Sequence, residues 1–345
     1  MGHRPSSSSS GPWRDRRVLV TGGAGFIGSH LVDLLLARGE HVTVIDDLST
    51  GRRDNLPRVH ERLRVIEADL SDAVRALGKG ERFDRIYHLA AAVGVKLVMD
   101  EPVRSIETNV TKTADLLAFA LDHGPDGGSA PTLLASSSEV YGKSERSPFH
   151  EDDDVTYGPT TKGRWSYACT KAIDEYLGLA YARTRNLGVV IVRFFNTVGP
   201  RQVGSYGMVL PNFVAAALEG RPIDVHGDGG QTRCFCDVRD AVEALPALLG
   251  CESCRGRVFN LGSDRPISMF ELARLVTGTL GSDSQIRLVP YDRVYGPGFE
   301  DLRQRQPDLG RIREAIGFAP RVGLERTILD LAERMRDRPR SESIA

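Results

Sequence analysis

Tyr167 and Lys171 stand four residues apart in the run Ser166-Tyr167-Ala168-Cys169-Thr170-Lys171. Apolar residues recur there and beyond at Ala168, Ala172, Ile173, Tyr176, Leu177 and Ala180, a helical period with one buried face. On a helix the four-residue spacing stacks Tyr167 and Lys171 one turn apart on one side. A phenol is a poor base at its ordinary pKa of about 10. An ammonium one turn away favours the phenolate and pulls that value down. Lowering it by roughly 3 units takes about 4 kcal/mol, which that ammonium and a second close cation, supplied by a bound ligand, can provide in a dry cleft. The pair therefore suits removal of a proton from a hydroxyl group. It would equally suit a half-buried tyrosine and a lysine lying along an amphipathic helix. Chemistry requires other polar groups to converge on Tyr167, and Ser137, Ser138, Glu139 and Asn196 are the candidates.

Arginine accumulates after residue 200 in apparent loops, at Arg201, Arg233, Arg239, Arg303 and Arg305. A guanidinium fork pairs with phosphate or carboxylate through two bonds, so these loops suit a multiply anionic small ligand. Some of these charges are expected simply to face solvent. The five cysteines read as free thiols in a reducing compartment. Cys234-Phe235-Cys236 and Cys251-Glu252-Ser253-Cys254 are the two close pairs. No histidine cluster supports either pair as a metal site, so no metal is expected, while a disulfide between Cys251 and Cys254 stays open.

The elements that must position these groups alternate along the chain. Arg17-Val18-Leu19-Val20 reads as a strand, then come Thr21-Gly22-Gly23-Ala24-Gly25-Phe26-Ile27-Gly28 and a helical run to Gly39. Strand, glycine-rich turn and helix form a pyrophosphate cradle, because backbone N–H groups at the helix start stand open to the ligand. Both Gly23-x-Gly25-x-x-Gly28 and Gly22-x-x-Gly25-x-x-Gly28 satisfy forms of that fingerprint. His41 to Asp46 reads as a second strand, and its terminal carboxylate lies 18 residues beyond Gly28. A carboxylate there accepts ribose hydroxyls and repels a 2′-phosphate, which favours NAD over NADP. Further strands are expected at Leu63–Asp69, Arg85–Ala91, Pro131–Ser136 and Val189–Phe195, with a helix from Ser105 to Asp122. The alternation implies an α/β fold, a Rossmann-type doubly wound parallel sheet with ligands at the carboxyl ends of its strands. Glu139, Tyr167 and Asn196 follow such ends or open the next element.

At 345 residues, 41% of them hydrophobic, the chain can bury a sizeable core. A formal charge of −1 gives no reason to expect nucleic acid, and no apolar run reaches membrane-span length. Residues 1–14 read as a disordered, serine-rich tail lacking a signal-peptide core, so a cytoplasmic location is expected. Residues 15–200 are expected to form the NAD-binding domain, with segments returning from the C-terminal half. Residues 201–338 mainly form a smaller C-terminal α/β substrate lobe, and 339–345 a frayed tail.

Together TGGAGFIG, DDLSTG, HLAA, SSSEVYG, YACTK, RFFNTVGPR, GDGGQTRCFCDVRD and Arg305-Gln306-Pro307-Asp308 resemble the extended short-chain dehydrogenase/reductases that act on nucleotide sugars. The likeness spans roughly residues 16–337 and is most marked to UDP-glucuronate decarboxylases (UDP-xylose synthases). Ser137-Ser138-Glu139 and Arg305 resemble that group's Thr/Ser-Ser-Glu and active-site arginine. Related 4,6-dehydratases carry an Asp-Glu pair where this chain has Ser138-Glu139, and 4-epimerases have a small residue in place of Glu139. The Tyr-Ala-Cys-Thr-Lys run and the segment Ala92-Val93-Gly94-Val95-Lys96 depart from the decarboxylases, and the latter resembles epimerases.

The resemblance implies an NAD-using enzyme that oxidises UDP-glucuronate at C4 and decarboxylates it to UDP-4-keto-pentose and/or UDP-xylose. A UDP-sugar 4-epimerase is the alternative on the same scaffold, and a non-catalytic NAD-sensing regulator a remote one. Tyr167, Lys171, Ser137, Ser138, Glu139 and Arg305 are the expected catalytic residues. Cofactor contacts are expected from Gly22, Gly25, Phe26, Ile27, Gly28, Asp46, Asp69, Leu70, Ala90, Ala91 and Asn109, besides Tyr167 and Lys171. Asn196, Arg233 and Arg305 are expected to hold the substrate. A homodimer is implied, pairing the helix after Ser105 with the helix carrying Tyr167.

Overall fold

The computed structural model describes residues 14–92, 100–204, 208–295 and 302–337. The expected tails lie outside these residues apart from Arg14, as does most of the segment from Ala92 to Lys96. Six strands arise in turn: β1 (Arg17–Thr21), β2 (His41–Asp46), β3 (Leu63–Glu67), β4 (Arg85–His88), β5 (Thr132–Ser137) and β6 (Val189–Phe194). A seventh comes from the C-terminal half, and the sheet order is β11-β6-β5-β4-β1-β2-β3, with β11 at Arg257–Leu261. Every pairing in this sheet is parallel. Helices cover both faces, which is why residues 18–20 of β1 and 189–192 of β6 read as apolar runs rather than alternating ones.

The glycine turn is shaped by close approaches. Gly22 has φ +70°, and a Cβ there would lie 2.6 Å from the Ala90 backbone nitrogen. A Cβ on Gly28 would meet the Gly22 carbonyl at 2.1 Å, so helix α1 (Phe26–Ala37) can sit this close to β1 only with glycine at that position. β3 ends two residues before the expected Asp69, because the Asp69 side chain accepts the Ser71 N–H and caps α2 (Leu70–Ala76).

Two long helices pack on each other and on the sheet, α3 (Pro102–Ala120) and α4 (Ser166–Arg185). The apolar periodicity expected for α4 supplies only a minority of its buried face. Ala168 and Ala172 are buried, but Ile173 and Tyr176 are 47% and 70% exposed. Apart from Gly178, the remaining buried positions are polar: Thr170, Lys171, Asp174 and Glu175. Their burial is made tolerable by pairing. Glu175 grips Arg193 of β6 through two bonds, at 2.9 and 2.7 Å, and also accepts the Ser136 hydroxyl of β5. Arg193 donates further to the Glu151 carbonyl at 3.1 Å and lies over the Tyr141 ring.

The second lobe is built on small sheets. β8 (Ile223–His226) pairs with β13 (Ile286–Val289), and β7 (Thr197–Val198) with β10 (Cys236–Asp237). β9 (Thr232–Cys234) lies between β12 (Pro266–Ser268) and β14 (Gln304–Arg305). Helix α5 (Val209–Leu218) adds Leu210, Phe213 and Val214 to this lobe's own core. Helix α6 (Val238–Gly250) packs instead against α1 and the main sheet. Cys234 and Cys236 are both buried, on strands of different sheets. No described helix is long and apolar enough to cross a membrane.

The Glu175/Arg193 pair generates a stability prediction. Truncating one partner of a buried pair leaves the other charge uncompensated, at a cost of about 3–5 kcal/mol. Glu175→Ala should therefore lower the urea midpoint by that amount divided by the transition's slope. An unchanged midpoint would show that the pair does not fasten α4 to the sheet.

Candidate active site

One cleft of about 1060 Å³ runs along the carboxyl ends of β1, β2, β5 and β6 and into the second lobe. That exceeds the roughly 300–1,000 Å³ common for a single small ligand. At one end lie Gly22, Gly25, Phe26, Ile27 and Gly28, with Asp46, Leu70, Ala90 and Ala91 beside them. At the other lie Asn196, Arg233 and Arg305, and between the two ends stand Ser137, Ser138, Glu139, Tyr167 and Lys171. Gly22-x-x-Gly25-x-x-Gly28 is thus the spacing that faces the cleft, while Gly23 packs on Val44.

Two expected cofactor contacts, Asp69 and Asn109, are engaged with other residues of the protein. Asp69 pairs with Lys112 at 2.6 Å besides capping α2. Asn109 is 2% exposed, and its side-chain oxygen accepts the Ala92 N–H at 2.9 Å. It also donates to the Thr170 hydroxyl, so it ties the segment after β4 to α4 from behind the cleft.

The dinucleotide cradle fits its proposed occupant. Helix α1 has no side-chain cap and no acidic residue in its first turn, so its starting N–H groups are open to an anion. The Asp46 carboxylate is fixed by the Ala24 and Leu48 N–H groups, each at 2.9 Å. Burial nevertheless raises its pKa. A held carboxylate beside the turn suits a ribose diol and repels an added phosphate.

Around Tyr167 the charges are arranged differently from the expectation of a phenol eased by Lys171. Burial first, and then the Glu139 charge, raise the Tyr167 pKa above its ordinary value, with Asp174 adding to them. A hydrogen bond with Ser137 works the other way. Lys171 is 2% exposed and donates to Asp174 Oδ2 at 3.2 Å and to the Ala135 carbonyl at 3.1 Å. Its ammonium is thereby turned toward a carboxylate on its own helix. Asp174 is itself 2% exposed, and its pKa is raised by burial.

Glu139 meets Arg305 at 2.7 Å, although 166 residues separate them. Arg305 sits on β14 in register with Arg233 on β9. Burial alone would raise the Glu139 pKa, but Arg305, Arg164 and Arg233 outweigh it and hold the carboxyl below its ordinary value. Glu139 is therefore ionised at neutral pH. Two contributors escape the sequence reading. Arg164 lines the cleft three residues before Tyr167, and Asp174 lies three residues after Lys171. Both have a helical-turn spacing that could flag them. The side to which α4 turns Asp174, and the turn before it Arg164, is settled by packing.

Residues 18–262 match the family described as NAD dependent epimerase/dehydratase family. A UDP-N-acetyl-alpha-D-glucosaminuronate decarboxylase of Bacillus cytotoxicus is 41% identical, over 93% of this chain and 98% of that protein. UDP-glucuronic acid decarboxylase 4 of Arabidopsis thaliana is 37% identical, over 93% of this chain and 69% of that protein. The dTDP-glucose 4,6-dehydratase of Streptomyces venezuelae, solved with NAD and TYD bound, superimposes with a TM-score of 0.80 at 30% identity, covering 93% of this chain and 97% of that one. With a dinucleotide cradle ending in Asp46 and a Tyr167/Lys171 pair on one cleft wall, the chain belongs to the NAD dependent epimerase/dehydratase family.

Proposed function

We propose that this enzyme uses NAD to decarboxylate UDP-glucuronate through oxidation at C4, giving UDP-4-keto-pentose and/or UDP-xylose. The observation that carries this reading is the Glu139/Arg305 contact on the same wall as Tyr167. A redox site alone would serve an epimerase. A guanidinium held beside it by a carboxylate suits a sugar that brings its own carboxylate. In this reading residues 15–200 hold NAD, and 201–338 hold the UDP moiety through Arg233, with Asn196 at the junction.

NAD, when bound, accepts a hydride from C4 of the sugar and can return it. Tyr167 removes the C4 hydroxyl proton, while Ser137 holds the C4 oxygen and Ser138 lies beside it. Lys171 stabilises the phenolate against the burial and the Glu139 charge that oppose it. The resulting β-keto acid loses CO2, because the new carbonyl takes the bond's electron pair as an enolate. The Tyr167 hydroxyl, now protonated, donates to that oxygen. The substrate carboxylate competes with Glu139 for Arg305. Losing its counter-ion next to a second carboxylate raises the Glu139 pKa, so Glu139 takes a proton from solvent. It then delivers that proton to C5, completing the exchange of a carboxylate for hydrogen.

The exposed apolar residues on α3 and α4 support a homodimer. Val103, Ile106, Ile173 and Tyr176 are 67%, 42%, 47% and 70% exposed, and the two helices pack side by side. A second copy of the same helix pair is the occupant of matching chemistry.

Four variants test these readings. Tyr167→Phe should lower CO2 release from UDP-glucuronate by about 10²–10⁴-fold, and Arg305→Ala should weaken UDP-glucuronate binding far more than UDP-glucose binding. Near-normal turnover in the first, or a product of unchanged mass from the wild type, would exclude the decarboxylase mechanism. Faster turnover of the 2-acetamido analogue in competition would move the substrate to that sugar. Asp174→Asn removes a charge that opposes Tyr167 ionisation, so the acidic limb of the kcat/KM profile should move to lower pH. A profile scaled down without moving would make Asp174 merely structural. Ile173→Glu with Tyr176→Glu should turn a sedimenting dimer into a monomer, and a monomeric wild type would refute the dimer.

A further inference from the structure

The turn between α6 and β11 carries two thiols that the proposed reaction does not use. Cys251 follows the last residue of α6, and its N–H donates to the Leu248 carbonyl at 3.2 Å. The Cys254 N–H returns to the Cys251 carbonyl at 3.1 Å, closing the turn. A turn closed in this way keeps its first and fourth Cα atoms within about 7 Å, and a disulfide spans about 4.4–6.8 Å between Cα atoms. Each thiol lies near enough to bear on the other's ionisation.

Their surroundings are unequal. Cys251 is half-buried at the surface, whereas Cys254 is fully buried. The Ser253 hydroxyl lies 3.2 Å from the Cys251 sulfur. That hydroxyl first, then the Cys254 thiol and the backbone N–H groups of Cys254 and Ser253, hold the Cys251 thiol below its ordinary pKa. Burial, together with the neighbouring Cys251 sulfur, pushes Cys254 up to about 12. Facing the pair are Glu252 and Arg255 of the same turn and Arg257 of β11. A reachable sulfur with thiolate character beside a shielded one is the arrangement in which the first attacks and the second resolves. The other cysteines differ: Cys234 and Cys236 are buried, and burial raises the Cys169 thiol.

We propose that Cys251 and Cys254 form a redox-active dithiol that closes to an intramolecular disulfide by exchange with a small-molecule disulfide, Cys251 being the attacking sulfur. The Cys251 thiolate attacks one sulfur of the small disulfide, forming a mixed disulfide and expelling one thiolate. Cys254 then loses its proton to water, attacks the Cys251 sulfur and expels the second thiolate. Two protein thiols are oxidised and one small disulfide is reduced to two thiols. The turn feeds the amino end of β11, and the cleft lies at the carboxyl ends of the parallel strands. The exchange is therefore separate from sugar chemistry, and substrate turnover should survive it.

The test exposes the native full-length protein to oxidised glutathione, followed by intact-mass measurement and peptide mapping. The wild type should lose two hydrogens, mapped to a Cys251–Cys254 link. Cys254→Ser should instead trap one glutathione on Cys251, and Cys251→Ser should show neither product. Should either variant fold poorly, phenylarsine oxide, which bridges two neighbouring sulfurs, should bind the wild type once and block the link. A wild type that takes glutathione only at Cys169, or that binds no phenylarsine oxide at the turn, would overturn the proposal.

Discussion

The grip of Glu175 on Arg193 is the constraint on which the active site depends. It joins α4 to β6, and through Ser136 it reaches β5 as well. Tyr167 and Lys171 lie on the same helix as Glu175, so their height above the sheet follows from that contact. A guanidinium held by two parallel bonds resists rotation more than a single contact would. The arrangement costs desolvation of both charges, which is offset only because nearly every donor finds an acceptor. Arg193 meets this condition with the Glu151 carbonyl and the Tyr141 ring as further partners.

With α4 fixed, the cleft's reactivity becomes a matter of which charges face which. Lys171 is turned to Asp174, and Arg305 to Glu139. Each pair keeps a cation stable in a poorly hydrated wall. Each also withholds that cation from the ligand group it would serve. Tyr167 remains protonated under these conditions because burial and two carboxylates oppose its ionisation. Binding of a dinucleotide and an anionic sugar would redistribute both cations.

The outward side of α4 shows how a polar buried face can mislead periodicity. Ile173 and Tyr176 read as core from their spacing, yet they are exposed, while Lys171, Asp174 and Glu175 are buried. Hydrophobic spacing identifies the helix but ranks its faces wrongly when ion pairs occupy the inner one. A similar limit applies at Asn109 and Asp69. Their position suits cofactor contact, and the structure shows both also bridging other parts of the molecule. Their local pattern suits either role, because a short polar side chain near a strand end caps or bridges as readily as it binds.

Whatever depends on neighbours in the chain was settled by the sequence. The strand, the glycine turn and the helix start follow from Gly22, Gly25 and Gly28, since each clash that excludes a larger residue arises within one supersecondary unit. The carboxylate of Asp46 and the stacking of Tyr167 over Lys171 are legible for the same reason. Tertiary structure alone decided that β11 is the returning segment that completes the main sheet, that Arg305 meets Glu139 across 166 residues, and that Ser137 is the serine that eases Tyr167 ionisation. Such contacts are chosen by how separate segments pack once their shared apolar surface is buried, and no local spacing encodes that choice.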